Sequence, residues 1–114
     1  MEPPAHRKEF PAELARAGEL RHFIAWTGAV AGLRGGSLSD LAVAAEALLT
    51  DVFLSGEGGS LDIESGIEGD FVRITIRHSE LDERRMAGLG DIMEQYLDGY
   101  EISPNRAVLV KRLE

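Results

Sequence analysis

The stretch Ser37-Leu-Ser-Asp-Leu-Ala-Val-Ala-Ala-Glu-Ala-Leu-Leu-Thr-Asp-Val-Phe53 decides how the rest of this chain is read. Leu38, Leu41, Ala42, Ala45, Leu48, Leu49 and Val52 recur at helical spacing and make one broad apolar face. Ser39 is the expected N-cap, because its hydroxyl can accept a free N–H of the first turn, and Asp40 suits the positive end of the dipole. No Gly or Pro interrupts the run before Gly56. A helix with so wide an apolar stripe needs a second layer to bury it.

Upstream, Ala17, Leu20, Ile24 and Ala31 line one face of a first amphipathic helix over 14–31, with Phe23 and Thr27 at its border. Gly32-Leu-Arg-Gly-Gly36 ends it and turns the chain. Lys8 to Glu13 reads as a short strand that Pro11 confines to a sheet edge, and residues 1–8 read as a flexible tail. Downstream, Ser55 to Ser60 is a turn, and Leu61, Ile63, Ser65 and Ile67 then alternate with polar residues as in a half-buried strand. Gly69 supplies a positive φ for a hairpin, and the return strand puts Val72, Ile74 and Ile76 opposite Arg73, Thr75 and Arg77. A third helix is expected over 88–97, with Leu89, Ile92, Met93, Tyr96 and Leu97 inward. Strands at Tyr100–Ile102 and Val108–Leu113, joined by a Pro104-Asn105 turn, close the chain.

The order β-α-α-β-β-α-β-β predicts a single α/β domain over 9–114, a two-layer sandwich whose mixed, mainly antiparallel sheet is covered on one face by three helices. A length of 114 residues, 44% hydrophobic and 28% charged, fits one soluble globular core. No apolar run is long enough to span a bilayer and the N-terminus lacks a signal-peptide core, so a cytoplasmic location is expected. A net charge of −8 repels phosphate backbones and anionic lipid, which argues against nucleic-acid and membrane partners. Without cysteine there is no disulfide, thiolate metal site or Cys nucleophile.

The element order, together with Thr50-Asp-Val-Phe-Leu-Ser-Gly56 and Gly88-Leu-Gly-Asp-Ile-Met-Glu-Gln-Tyr-Leu-Asp98, resembles the anti-sigma-factor serine kinases of the RsbW type. That resemblance covers Phe10 to Leu113 and implies the Bergerat fold of the GHKL, or histidine-kinase-like, ATPases. In that family a helical Glu-x-x-x-Asn supplies the base and the Mg²⁺ ligand. An Asp-x-Gly-x-Gly motif then reads adenine, a lid covers the nucleotide, and a Gly-x-Gly turn meets the phosphates.

Measured against those motifs, the chain looks like a degenerate member. Asp51 stands at the Asn position and Ala47 at the Glu position. Glu46 cannot stand in, because five helical residues turn it about 140° away from Asp51. Asp51 is then either a weak oxygen ligand for Mg²⁺ or an ordinary solvated Asp, and the second is the plainer reading. His78-Ser-Glu80 replaces the adenine-reading motif, and only nine residues separate His78 from Gly88 where a lid belongs. Gly88 and Gly90 remain and could offer free N–H groups to a phosphate. Phe53 and Leu54 could occupy the vacated space.

His78, at a strand end near Glu80 and Asp82, reads as a surface loop histidine, with a phosphorelay acceptor as the sharper alternative. The three histidines show no metal-ligand spacing. The charged run Glu80 to Arg85 reads as a solvated connection. By resemblance, Arg21, His22, Trp26 and Val30 on the first helix form the candidate partner surface for a sigma factor or an anti-sigma-factor antagonist, and a homodimer is also implied. Trp26 is the expected anchor, unless it packs on the edge strand or the tail. The expected function is thus protein-binding regulation without cofactor. An ATP- and Mg-dependent serine/threonine protein kinase using Asp51, and a scaffold module of a signalling system, are the alternatives.

Overall fold

A computed structural model of the chain describes residues 6–54, 58–84 and 86–113. In chain order the elements are β1 (His6–Pro11), α1 (Ala17–Ala31), α2 (Gly35–Leu54), β2 (Ser60–Glu68), β3 (Phe71–Arg77), α3 (Gly90–Tyr96), β4 (Gly99–Ser103) and β5 (Arg106–Arg112). Single 3₁₀ turns, Leu14–Arg16 and Ala87–Leu89, lead into α1 and α3. The strands form one five-stranded sheet in the order β1-β2-β3-β5-β4. Every pairing in it is antiparallel, so the expected mixed sheet is corrected to a purely antiparallel one.

The two-residue alternation works as expected on the inner face. Ile63, Ile76 and Ala107 share one row and Ser65, Ile74 and Leu109 the next, all of them buried. Helix α1 packs over β2 and β3, α2 over β5, and α3 against α2 and β4. At the crossing of α1 and α2 the backbones come close at Gly28, where a Cβ would sit 2.9 Å from Leu38 Cδ1 and 3.3 Å from Leu41 Cδ2. Gly32 closes α1 with φ 117°, its N–H bonded to the carbonyls of Ala29 and Gly28. Gly69 turns the β2–β3 hairpin at φ 60°.

Three further expectations are revised. The tail does not run through residue 8, because β1 begins at His6: Arg7 and Lys8 pair with Glu64 and Ile63, and the Arg7 guanidinium grips the Asp62 carboxylate through both of its oxygens. Residues 1–5 and the first half of the expected turn, 55–57, lie outside the described residues. Ser39 is not the N-cap, since α2 starts a turn earlier at Gly35 and Ser39 sits exposed inside it. Third, Thr75, grouped by alternation with Arg73 and Arg77 on the polar side of β3, is buried, as is Val108 opposite it on β5.

Candidate functional site

Three regions bear the residues singled out from the sequence. The first is the C-terminal end of α2, where Asp51 is half-buried beside the buried Val52. Leu54 points into solvent and fills no space, whereas Phe53 packs partly against the core. Gly88 and Gly90 flank the start of α3, but neither adopts a positive φ. Nothing lies within 4 Å of a Cβ built on Gly88, and one on Gly90 would meet only the Tyr100 hydroxyl at 3.6 Å. Close packing therefore does not demand these two glycines. Gly90 opens onto a cleft of about 730 Å³ lined by Glu83, Tyr100, Glu101, Ser103 and Pro104, and Asp51 is not among its lining residues. Carboxylates at Glu83 and Glu101 make that cleft unwelcoming to a polyphosphate.

The second region runs from His78 to Met86, and here the sequence reading is overturned. His78 is only 4% exposed, not a surface loop residue. Its Nδ1 accepts the Glu80 N–H at 3.0 Å, which leaves Nε2–H to donate to the Gly58 carbonyl at 2.7 Å. Both ring nitrogens are thus committed to backbone. An open cleft of about 400 Å³ nearby gathers Glu9, Asp62, Arg77, His78 and Ser79, a carboxylate–imidazole–hydroxyl set by composition. It offers no free imidazole nitrogen to act as base or phosphate acceptor.

Beyond His78 the chain turns inward. Leu81 and Met86 are each 1% exposed and belong to the main apolar core. Backbone bonds fix this segment: Leu81 N–H to His78 O at 3.2 Å, Met86 N–H to Asp82 O at 3.0 Å, and Asn105 N–H to Leu81 O at 2.8 Å. The charged letters of Glu80 to Arg84 hid the two anchors, because a lone Leu and a lone Met in a polar run carry no periodic signal.

The third region is the outer surface of α1 beside edge strand β1. His22 and Trp26 line a cleft of about 500 Å³ together with Lys8, Gly18, Glu19 and Phe23. Trp26 is 45% exposed, and its inner edge meets the His6 ring in a T-shaped contact at 4.9 Å. Phe23 stands 6.4 Å from Trp26 and 5.6 Å from Phe10, so the aromatic rings form a chain from surface to core. Val30 is exposed four residues, about one turn, beyond Trp26 on the same helix face. Arg21 points elsewhere, to Glu46 of α2 at 2.8 Å. Trp26 therefore packs on the edge strand and keeps nearly half of its surface exposed. Lys8 and His6, read from sequence as tail, are part of this cleft or its wall.

Electrostatically, the perturbed pair among the described residues is Arg7 and Asp62. The hydrogen bond from Arg7 holds the Asp62 carboxyl below the usual range against a smaller opposing effect of burial, and the charges of Arg7 and Arg77 add to the lowering. Lys111, which no sequence signal set apart, faces the helices and is 12% exposed. Its ammonium donates to Tyr96 O at 2.9 Å and to Asp40 Oδ2 at 3.3 Å, tying β5 to α2 and to the end of α3. No group of three or more metal-ligating side chains is found among the described residues.

No protein-family model matches this chain, and no curated protein matches it either. No helix of the described structure is long and apolar enough to cross a membrane.

Proposed function

We propose that this chain is a non-catalytic regulatory protein that acts by binding another protein, in the manner of an anti-sigma factor of the serine-kinase type that has lost its nucleotide. The reading keeps the Bergerat type as a proposal for an α/β fold of one five-stranded sheet and three helices. What carries it is the segment after β3. A nucleotide-binding relative would need a glycine-rich strand end and a mobile lid there. Here the segment is a hydrogen-bonded loop with Leu81 and Met86 in the core and His78 locked to backbone. A loop anchored by two buried side chains cannot open and close over a ligand without exposing them to water.

The partner surface in this reading is the α1 face carrying His22, Trp26 and Val30, with Trp26 as anchor. Arg21 is reassigned to the α1–α2 salt bridge. The partner is a protein such as a sigma factor or an anti-sigma-factor antagonist, and the site of action is the cytoplasm. Titration calorimetry with Mg–ATP is the test: the expected outcome is no heat of binding. A micromolar dissociation constant that disappears in Asp51→Ala would replace this reading with that of a working kinase.

A further inference from the structure

We propose that the free edge of β4, with the cleft beside it, is a docking site for an extended, basic segment of another protein, which adds to the sheet as a further strand. The strand order leaves the sheet two edges, β1 and β4. A free edge turns the N–H and C=O of every second residue outward, and folded proteins guard such edges against stray pairing. Here the two edges differ.

β1 is guarded. Glu68 and Phe71 flank the two-residue turn of the β2–β3 hairpin and are its closing bonded pair. Alternation from there leaves Ser65, Ile63 and Leu61 to bond His6, Lys8 and Phe10, so the free-edge positions of β1 are Arg7, Glu9 and Pro11. Pro11 has no N–H to offer, and its carbonyl already accepts the Glu13 N–H at 2.9 Å. Lys8 stands opposite the buried Ile63, on the helix side, and an inward charge on an edge strand discourages an apolar strand beside it.

β4 has no such device, for Gly99-Tyr-Glu-Ile-Ser103 contains no Pro, Lys or Arg. The Pro104-Asn105 turn, with Asn105 at φ 67°, makes Ser103 and Arg106 the closing bonded pair, and Glu101–Val108 and Gly99–Val110 follow. Tyr100 and Ile102 therefore turn both N–H and C=O outward, and among the described residues neither makes a backbone hydrogen bond outside the sheet. Their side chains lie on the helix side and line the cleft of about 730 Å³. A strand laid along this edge sends the side chains opposite Tyr100 and Ile102 into that cleft, against Met86 and Ala87. The residue between them stands opposite Glu101, on the other side of the sheet.

Charge selects the occupant. Glu83, in the cleft wall, forms no ion pair with a described residue. The Glu101 side chain is 67% exposed and only loosely held, 3.8 Å from Arg106. A segment that alternates apolar and basic residues fills the cleft and meets both carboxylates, and the net charge of −8 draws it in. A second copy of β4 does not fit, because the antiparallel pairing that uses every free group sets Glu101 directly opposite Glu101. The site lies at the other sheet edge from β1, and it stands whether or not the α1 surface binds a partner.

The probe is a short capped peptide alternating lysine and valine, added to the full chain at low salt and followed by nitrogen–proton correlation NMR. Saturable binding that shifts the Tyr100 and Ile102 amides most is expected. The same peptide N-methylated at its valines keeps its charges but loses the ladder donors, and should bind at least about tenfold more weakly. A peptide with glutamate in place of lysine should not bind. On the protein, Ile102→Pro removes one edge donor, and Glu83→Lys with Glu101→Lys reverses the charge. Each should weaken the lysine peptide about tenfold, with circular dichroism checking the fold, and the charge-reversed variant should take up the glutamate peptide instead. No saturation at millimolar peptide overturns the proposal. An N-methylated peptide that binds equally well overturns it too, since charge attraction alone would then explain the binding. Shifts centred on β1 or α1 overturn the location.

Discussion

His78 Nε2 lies 2.7 Å from the carbonyl oxygen of Gly58, so one buried imidazole at the end of β3 holds the segment that enters β2. The same ring accepts the Glu80 N–H through Nδ1 and so starts the inward turn toward Leu81. Replacing it with alanine strands two backbone groups and empties a buried site, and His78→Ala should cost about 2–4 kcal/mol of stability. His78→Gln, which can keep one of the two bonds, should cost less. Urea midpoints of the two variants decide this, and incubation with acetyl phosphate should leave no phosphohistidine on the parent protein.

Leu81 and Met86 make a parallel case through packing. Truncating either to alanine removes a fully buried side chain from the core, for a loss of about 2–4 kcal/mol. If these residues merely occupied a dispensable nucleotide cavity, Leu81→Ala would instead gain thermal stabilisation from ADP or ATP. Differential scanning fluorimetry with and without Mg–ATP distinguishes the two results, and the expected outcome is a lower melting temperature that nucleotide does not raise.

Acid sensitivity follows from Asp62. Its folded-state pKa is depressed below the unfolded value near 3.8 by the Arg7 hydrogen bond, so its contribution is present above that value and fades as pH falls through the folded pKa. The pair sits at the surface, with Arg7 largely in solvent, and its contribution is correspondingly small. Arg7→Gln should lower stability slightly at neutral pH and flatten the loss below about pH 4, measured as denaturation midpoints across that range. An unchanged acid limb in Arg7→Gln would show that the pair does not form in solution.

Trp26 gives the proposed partner surface its own reporter, as the single tryptophan of the chain. Because it is nearly half exposed, Trp26→Ala should cost the isolated protein only about 1 kcal/mol. Binding of a partner at α1 should shift the intrinsic fluorescence to the blue, and Trp26→Ala should weaken that binding by more than about tenfold. An unchanged affinity would move the contact off this helix.

The periodicities were enough to set out most of the fold. A 3.6-residue stripe from Leu38 to Val52, a two-residue alternation at Leu61 to Ile67 and again at Val72 to Ile76, and glycines at 32 and 69 determined the element order, because each reports a local backbone geometry. The candidate site was far less legible. Asp51, Gly88 and Gly90 could be set against a family motif, and the aromatic on α1 could be picked out, yet no letter pattern gave the inward turn of Leu81 and Met86 or the burial of His78.

Lys111 shows why. In sequence it is a cation near a chain end, and only the pairing of β5 with β3 places it beside Val72 on the helix-covered face, within reach of Asp40 and Tyr96. Beyond β1 each strand carries charges of one sign, and the same pairings gather β1 with the acidic β2, and β3 with the basic β5, into an acidic and a basic half of the sheet. The sequence by itself determined where helices and strands form, since those preferences act between neighbouring residues. Only the tertiary structure decided which charges meet and which side chains leave water, because both depend on contacts between segments far apart in the chain.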